Sequence, residues 1–331
     1  TPGISSAASD VYKRQESAAR GQSRLDLPAY HAAGEGFQSF LPFKDALHCC
    51  WLAGRRRISQ DVSGGDMADQ PTRAIEELAA MLAYAWHRPG NLVAVDRALV
   101  PADRAQACLA QDLMFQKLEE ALVGWKVGAT SHKMRQLDGH DDVIPGRIIA
   151  SRTHIGPRHD LQIGHYHKAR AETEFAFRLT ETPHLRDTPW TPGEMAEIMV
   201  LHPAIELIGN RYQMDGASKA ENSLMTIADN GGGIGFVFGD PVTEWQHINF
   251  QNHRIDLRVS GGAPADNFPG DMRCVPAEAA ADLVNHLAHR GEVLEAGHFI
   301  STGAASVPQP FGAGDVVHAD FGVLGTIELW F

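Results

Sequence analysis

Apolar residues recur at helical spacing from Thr72 to His87, at Ile75, Leu78, Ala79, Leu82, Ala85 and Trp86, and Pro89-Gly90 closes the run. This pattern predicts an amphipathic helix. A second stripe, Ala105, Cys108, Leu109, Leu113, Leu118 and Leu122, predicts a helix over about 102–122, with Pro101 suited to its first turn. After Gly124 the texture changes to short runs rich in β-branched and aromatic residues, broken by Gly, Pro and Asn. These predict strands at 124–129, 147–151, 171–179, 204–208, 235–238, 253–259, 316–320 and 325–331. One further helix fits 276–290, where Ala280, Leu283, Val284 and Leu287 share a face. Strands outnumber helices and do not alternate with them, which disfavours a doubly wound parallel sheet. The expectation is an α+β fold, a helical cap at the N-terminal side of a curved mixed β-sheet.

Residues 1–66 show no such periodicity. The string Ser5–Gln15, SSAASDVYKRQ, resembles the translation of a transposon-type sequencing adapter. Met67 follows Gly64-Gly65-Asp66, and Gly-Gly can be encoded by a purine-rich ribosome-binding site. The reading is therefore a non-native or disordered extension over 1–66 and a single domain over 67–331. A chain beginning at Met67 is expected to keep the full thermal midpoint and activity. A loss of several kcal/mol, on the scale of a domain's whole stability, would instead make the extension part of the fold.

Composition narrows the function. The 331 residues carry 29 Lys and Arg against 41 Asp and Glu, a formal charge of −12, which repels phosphate backbones and anionic lipid. Nucleic acid and membrane are thus not expected partners. No apolar run approaches the roughly 18 residues of a membrane helix, and no signal-like start is present, so a cytoplasmic protein is expected. Cys49, Cys50, Cys108 and Cys274 lack zinc-site spacing and read as reduced thiols. His154, His159, His165 and His167 match no helical zinc motif. No P-loop, nucleophile elbow or HExxH occurs, and the Gly231-Gly232-Gly233 turn does not satisfy GxGxxG.

Three segments carry candidate chemistry. In Ala171–Phe177 strict alternation puts Glu172 and Glu174 on one strand face and Phe175 and Phe177 on the other. Two carboxylates so close either form a solvated sheet face or share a hard divalent cation such as Mg²⁺ or Mn²⁺. Glu206 interrupts Pro203–Ile208, a run apolar enough to be buried, and a buried carboxylate needs a partner. Arg211 could supply an ion pair; a third place on the same cation is the alternative. Lys126, in Gly124-Trp125-Lys126-Val127-Gly128, is either a snorkelling surface lysine or a partly buried one fit for proton transfer. Asp229 and Asn230 precede the glycine turn and could simply cap it.

Gly124–Ser131, the Glu172-Thr173-Glu174 strand, Pro203–Glu206, Ala228-Asp229-Asn230 and Gly314–Gly322 occur in the order seen in one family. Over 67–331 the chain resembles the 2-keto-4-pentenoate hydratases, in the hydratase/decarboxylase branch of the fumarylacetoacetate hydrolase superfamily. The resemblance implies a mixed β-roll, Mg²⁺ or Mn²⁺ held by Glu172, Glu174 and Glu206, and Lys126 as the proton-transfer group. It places Arg211, Asp229, Asn230, Thr302 and Gly303 at a small 2-oxo-enoate or 2-hydroxy-dienoate substrate, and implies a homo-oligomer. Two departures stand out. Gly231-Gly232-Gly233 replaces a turn that often reads Ala-Ser-Ser, and the acidic residues expected before the glycine matching Gly146 align poorly, leaving Asp142 as the candidate acid–base partner. The expected reaction is hydration of a short 2-hydroxy-2,4-dienoate to a 4-hydroxy-2-oxo acid in meta-cleavage aromatic catabolism. The alternatives are a vinylogous 2-oxo acid decarboxylase of the 4-oxalocrotonate type, a C–C bond hydrolase of the same superfamily, and a non-enzymatic accessory subunit.

Overall fold

The computed structural model describes residues 72–331 apart from 89, 91, 139, 141 and 163–166. The extension predicted over 1–66, and His165, lie outside the described residues.

Helix α1 (Arg73–Trp86) starts where Thr72 accepts a hydrogen bond from the Ile75 amide, and it buries the predicted stripe from Ile75 to Trp86. Helix α2 (Arg104–Leu118) is capped by Asp103, not begun at Pro101, and stops four residues before the predicted end. There Glu119 adopts left-handed backbone at φ 53°, and Leu122 already opens a strand. The stripe continued across that boundary because an apolar residue suits a helix face and a buried strand equally. Among the described residues, the other helices are α3 (His132–Asp138), α4 (Pro192–Glu197), α5 (Lys219–Ala228) and α6 (Pro276–His289). The sequence pattern missed α3, α4 and α5, which are short. Both α4 and α5 begin with a capping box, Thr191/Glu194 and Ser218/Glu221.

Strands of three or more residues are β1 (Leu122–Gly128), β2 (Ile144–Ile149), β3 (Thr153–Ile155), β4 (Arg158–Asp160), β5 (His167–Leu179), β6 (Met199–Asn210), β7 (Gly233–Phe238), β8 (Asp256–Val259), β9 (Phe299–Ala304), β10 (Val316–Asp320) and β11 (Thr326–Trp330). The larger sheet runs β2-β1-β9-β5-β6-β7-β3, and a smaller one runs β8-β10-β11-β4. Both are mixed: β1 with β9, β3 with β7, and β4 with β11 are parallel, and the other pairs in these two orders are antiparallel. This is the expected α+β architecture with α1 and α2 as the helical addition.

Two packed regions hold the elements in place. Phe175, Phe177, Leu201, Ile205, Ile300 and Leu329 belong to the main core, which α6 joins through Leu283 and Leu287. Helices α1, α2 and α5 share a second core around Leu78, Leu82, Met114 and Met225. Gln111, fully buried on α2, ties this cap to the sheet by donating to the carbonyls of Pro145 and Ile227 while accepting from Arg147. Strand β9 was not predicted. Its centre reads Ser301-Thr302-Gly303, without apolar alternation, because Ser301 and Gly303 bond to the Glu174 carboxylate and Thr302 to the Phe175 carbonyl. No helix among the described residues is long and apolar enough to cross a membrane.

Candidate active site

Strand β5 lies between β9 and β6, so side chains on one of its faces are reached from both neighbours. Glu172 stands directly opposite Glu206 across the β5–β6 ladder, and Glu174 follows on the same face. Carboxylate oxygens of the three residues come within 4.8 Å of one another. The shared strand face read from alternation thus gains its third member through antiparallel register.

Burial makes this grouping costly. Glu174 is 1% and Glu206 2% exposed, while Glu172 is half-buried. Desolvation, reinforced by the neighbouring Glu174, pushes the Glu172 carboxyl up to about 7. Glu206 is raised well above the usual carboxylate range, again chiefly by desolvation, against the opposing pull of Lys126. Glu174 Oε2 accepts from Ser301 Oγ at 2.6 Å and from the Gly303 amide at 3.0 Å. Glu174 Oε1 and Glu206 Oε1 are buried without a hydrogen-bond partner. Hard oxygen donors, mutual repulsion and bare buried oxygens together fit a divalent cation of the Mg²⁺ or Mn²⁺ type.

Lys126, on β1, projects beside this group and is 5% exposed. Its Nζ donates to the Gly231 carbonyl at 2.6 Å and lies 3.4 Å from Glu206 Oε1. Two glycines make room for its stem. A Cβ at Gly146 would approach Lys126 Cε to 2.9 Å, and one at Gly231, where φ is +64°, would come to 2.4 Å from the same atom. The lysine therefore belongs to the buried alternative. A cavity of about 290 Å³ opens over Lys126 and the three carboxylates, and its apolar wall is formed by Ile144, Ile208, Phe268, Met272 and Pro308.

The chain has relatives of known name. A 4-oxalocrotonate decarboxylase from Pseudomonas sp is 30% identical over 210 residues, which are 62% of this chain and 77% of that protein. A 2-oxo-hept-4-ene-1,7-dioate hydratase of Escherichia coli is 27% identical over 214 residues, 63% of this chain and 79% of the relative. The chain belongs to the hydratase/decarboxylase branch of the fumarylacetoacetate hydrolase superfamily. The solved structure of 4-oxalocrotonate decarboxylase from Pseudomonas putida G7, complexed with magnesium and adipate, matches with a TM-score of 0.66 at 20% identity, over 78% of this chain and 97% of that one. The same decarboxylase complexed with calcium and acetate matches at 0.67 and 21% identity, covering 79% and 99%. These two likenesses establish the fold. No family model matches the chain.

The remaining candidate residues separate into those that line the cavity and those that frame it. Gly303 lines it, and its positive φ of 104° turns the amide toward Glu174. Thr302 turns the other way, donating to the Phe175 carbonyl at 2.6 Å. Arg211 and Asp229, expected at the substrate, form a buried ion pair at 2.7 Å, with Arg211 also bonded to the Gly233 carbonyl and stacked on Trp86. Asn230 pairs with both the amide and the carbonyl of Arg147. These three do not line the cavity; they fix the glycine turn that carries the Gly231 carbonyl to Lys126.

Asp142 does not reach the cavity either. Its side chain is 51% exposed and sits among His286, Arg135 and Arg104 at 3.6, 3.8 and 4.0 Å, an outer cluster of an imidazole and two guanidinium groups that holds the carboxylate away from the substrate space. Ile144 occupies the cavity wall there instead. Residues that sequence reading missed are Ser301, Gly146 as the gap for Lys126, and His140, which lines the cavity with Nδ1 2.6 Å from Ser223 Oγ. The glycine turn itself was legible, but its task was not.

Gly231→Ala tests that task. Strain at positive φ and the clash with the Lys126 stem are expected to displace Nζ and lower kcat by at least about tenfold, with a comparatively small change in KM. Unchanged kcat would mean that the lysine tolerates displacement.

Proposed function

We propose that the protein is a metal-dependent hydratase that adds water to a short 2-hydroxy-2,4-dienoate, in its 2-oxo form, to give a 4-hydroxy-2-oxo acid. The observation that carries this choice is the cavity lining. Among the described residues that line it, Lys126 is the one lysine or arginine, and Ile144, Ile208, Phe268, Met272 and Pro308 give it apolar surface. Such a space suits a substrate with one carboxylate and a short hydrocarbon end. Two further arginines that could have greeted a second carboxylate are already engaged. Arg147 pairs with Asp112 and Glu292 and stacks on Trp125, and Arg211 is held by Asp229. Phe236 and Phe238 are packed among buried apolar residues of the sheet and do not line the cavity, Phe238 stacking on Phe299 at 4.0 Å between ring centroids.

Glu172, Glu174 and Glu206 would hold the cation, which when bound supplies Lewis acidity toward the carboxylate and C2 oxygen of a 2-oxo acid. The chain's own residues do the rest. Ser301 Oγ and the Gly303 amide keep one oxygen of Glu174 fixed and leave the other bare. The Gly231 carbonyl and Glu206 hold the Lys126 ammonium at the cavity floor. From there Nζ delivers a proton to C3 of the 2-oxo-enoate while water adds at C4 as hydroxyl, and the proton that water releases restores the ammonium. Ile144, Ile208 and Phe268 keep the remaining water out.

Decarboxylation of a vinylogous 2-oxo acid is the second reading, favoured by the relative at 30% identity and by the two matching solved structures, all named decarboxylases. The deciding experiment incubates the metal-loaded protein with 2-hydroxypenta-2,4-dienoate and, separately, with 2-oxohex-3-enedioate. Loss of dienoate absorbance with a 4-hydroxy-2-oxo acid as product and no CO₂ is expected. Stoichiometric CO₂ from the enedioate with the dienoate untouched would replace the hydratase by the decarboxylase.

A further inference from the structure

Residues 272–274 of the segment leading into α6 face different spaces. Met272 and Cys274 line the catalytic cavity, whereas Arg273 lines a separate cleft of about 450 Å³ with Gln251, Asn252, Arg254, Asp266 and Asn267. Arg273 is 4% exposed, yet its Nε and Nη2 have no hydrogen-bond partner. Among the described residues no carboxylate forms an ion pair with it. The Phe175 ring, 5.5 Å from the guanidinium carbon, is its one aromatic partner among the described residues, a weak compensation at that distance. A guanidinium removed from water without a counter-charge is costly, and natural chains keep such groups paired.

The chemistry of the missing partner follows from which nitrogens are bare. Nε and Nη2 form one edge of the guanidinium fork, the edge that meets two oxygens of a carboxylate or phosphate in parallel. The cleft adds Arg254, exposed on the same wall, against one carboxylate, Asp266. This local excess of positive charge stands out on a chain of net charge −12. Its walls are braced: Gln251 Nε2 donates to the Cys274 carbonyl, and the Asn267 amide clamps both the amide and the carbonyl of Ile255. A third space that Arg273 borders carries Asp271, Glu278 and Asp282 and would repel an anion.

We infer that Arg273 anchors an oxyanion site separate from the catalytic cavity, taking the carboxylate or phosphate group of a small organic anion in the cleft shared with Arg254. The bare edge is shielded from water, so the anion is met by a rotation of the guanidinium toward the cleft, exchanging an unpaired buried charge for an ion pair. The site is independent of the reaction assigned to the catalytic cavity.

The test measures the thermal midpoint of the full chain as acetate or inorganic phosphate replaces chloride at constant ionic strength, in wild type, Arg273→Met, Arg273→Lys and Glu174→Gln. The Glu174 variant controls for anions entering the catalytic cavity. At about ten times Kd the midpoint is expected to rise by about 2–4 °C in wild type and in Glu174→Gln, and not in Arg273→Met. In chloride, Arg273→Met should melt no lower than wild type, because the charge it loses was unpaired. A rise with acetate alone assigns the site to carboxylic acids, and a rise with phosphate alone to phosphate esters. No rise in wild type with either anion overturns the inference, as does a rise that survives in Arg273→Met. A several-degree loss in chloride in both Arg273 variants would likewise overturn it, by making Arg273 a packing residue.

Discussion

Lys126→Met is expected to slow turnover by about 10²- to 10⁴-fold, the range lost when a positioned general acid or base is removed, while the metal content of the loaded protein stays unchanged. Methionine fills much of the space between Gly146 and Gly231 that the lysine stem occupies, so the cavity keeps its shape. What disappears is the ammonium 3.4 Å from Glu206 and 2.6 Å from the Gly231 carbonyl. Without a bound cation the variant leaves Glu206 buried with less compensation, so its metal-free form should melt below metal-free wild type. Addition of Mg²⁺ or Mn²⁺ should narrow that gap. Turnover, metal content by elemental analysis and the two melting curves read the prediction together. A near-normal rate would make Lys126 a structural counter-charge to the carboxylates and nothing more.

Replacing Glu174 or Glu206 by Gln should have an effect at least as large, on binding as well as on rate. Loss of a residue that merely orients a metal ligand costs about 10- to 100-fold in affinity, so loss of a charged ligand itself should exceed about 10²-fold. Activity at a fixed, low metal concentration should fall with it. The stability effect runs in the opposite direction. Glu174 Oε1 is buried without a hydrogen bond among like charges, so Glu174→Gln should raise the melting point of the metal-free protein, whereas Glu206→Gln should gain less because Glu206 also compensates the Lys126 ammonium 3.4 Å away. Glu172→Gln, at a half-buried position, should follow the same direction with a smaller stability gain. Undiminished metal affinity in all three variants would sink the assignment. Absence of any thermal shift with Mg²⁺ or Mn²⁺ in wild type would favour an accessory protein without a cation.

Local sequence determined a good deal. Period-two alternation sets the side-chain direction within a single strand, so Glu172 and Glu174 were placed on a common face from their spacing alone. The α1 stripe likewise fixed which side of that helix is buried, because each residue of a helix is oriented by its near neighbours. Glu206 stood out because a carboxylate inside an apolar run has no inexpensive local environment.

Tertiary structure decided what depends on partners distant in sequence. Register across β5 and β6 brought Glu206 opposite Glu172, and nothing in either strand encodes that alignment by itself. The fate of Asp142 was settled by His286, far along the chain, together with Arg104 and Arg135, which draw it outward and leave Ile144 on the cavity wall. Arg211, Asp229 and Asn230 read as polar residues next to a turn, and only the packed core shows that their charges and amides are spent holding the turn in place. Strand β9 escaped detection for the same reason. Ser301 and Thr302 are polar because they bond to Glu174 and to the Phe175 carbonyl, and a buried polar residue is recognisable only once its partner is in view.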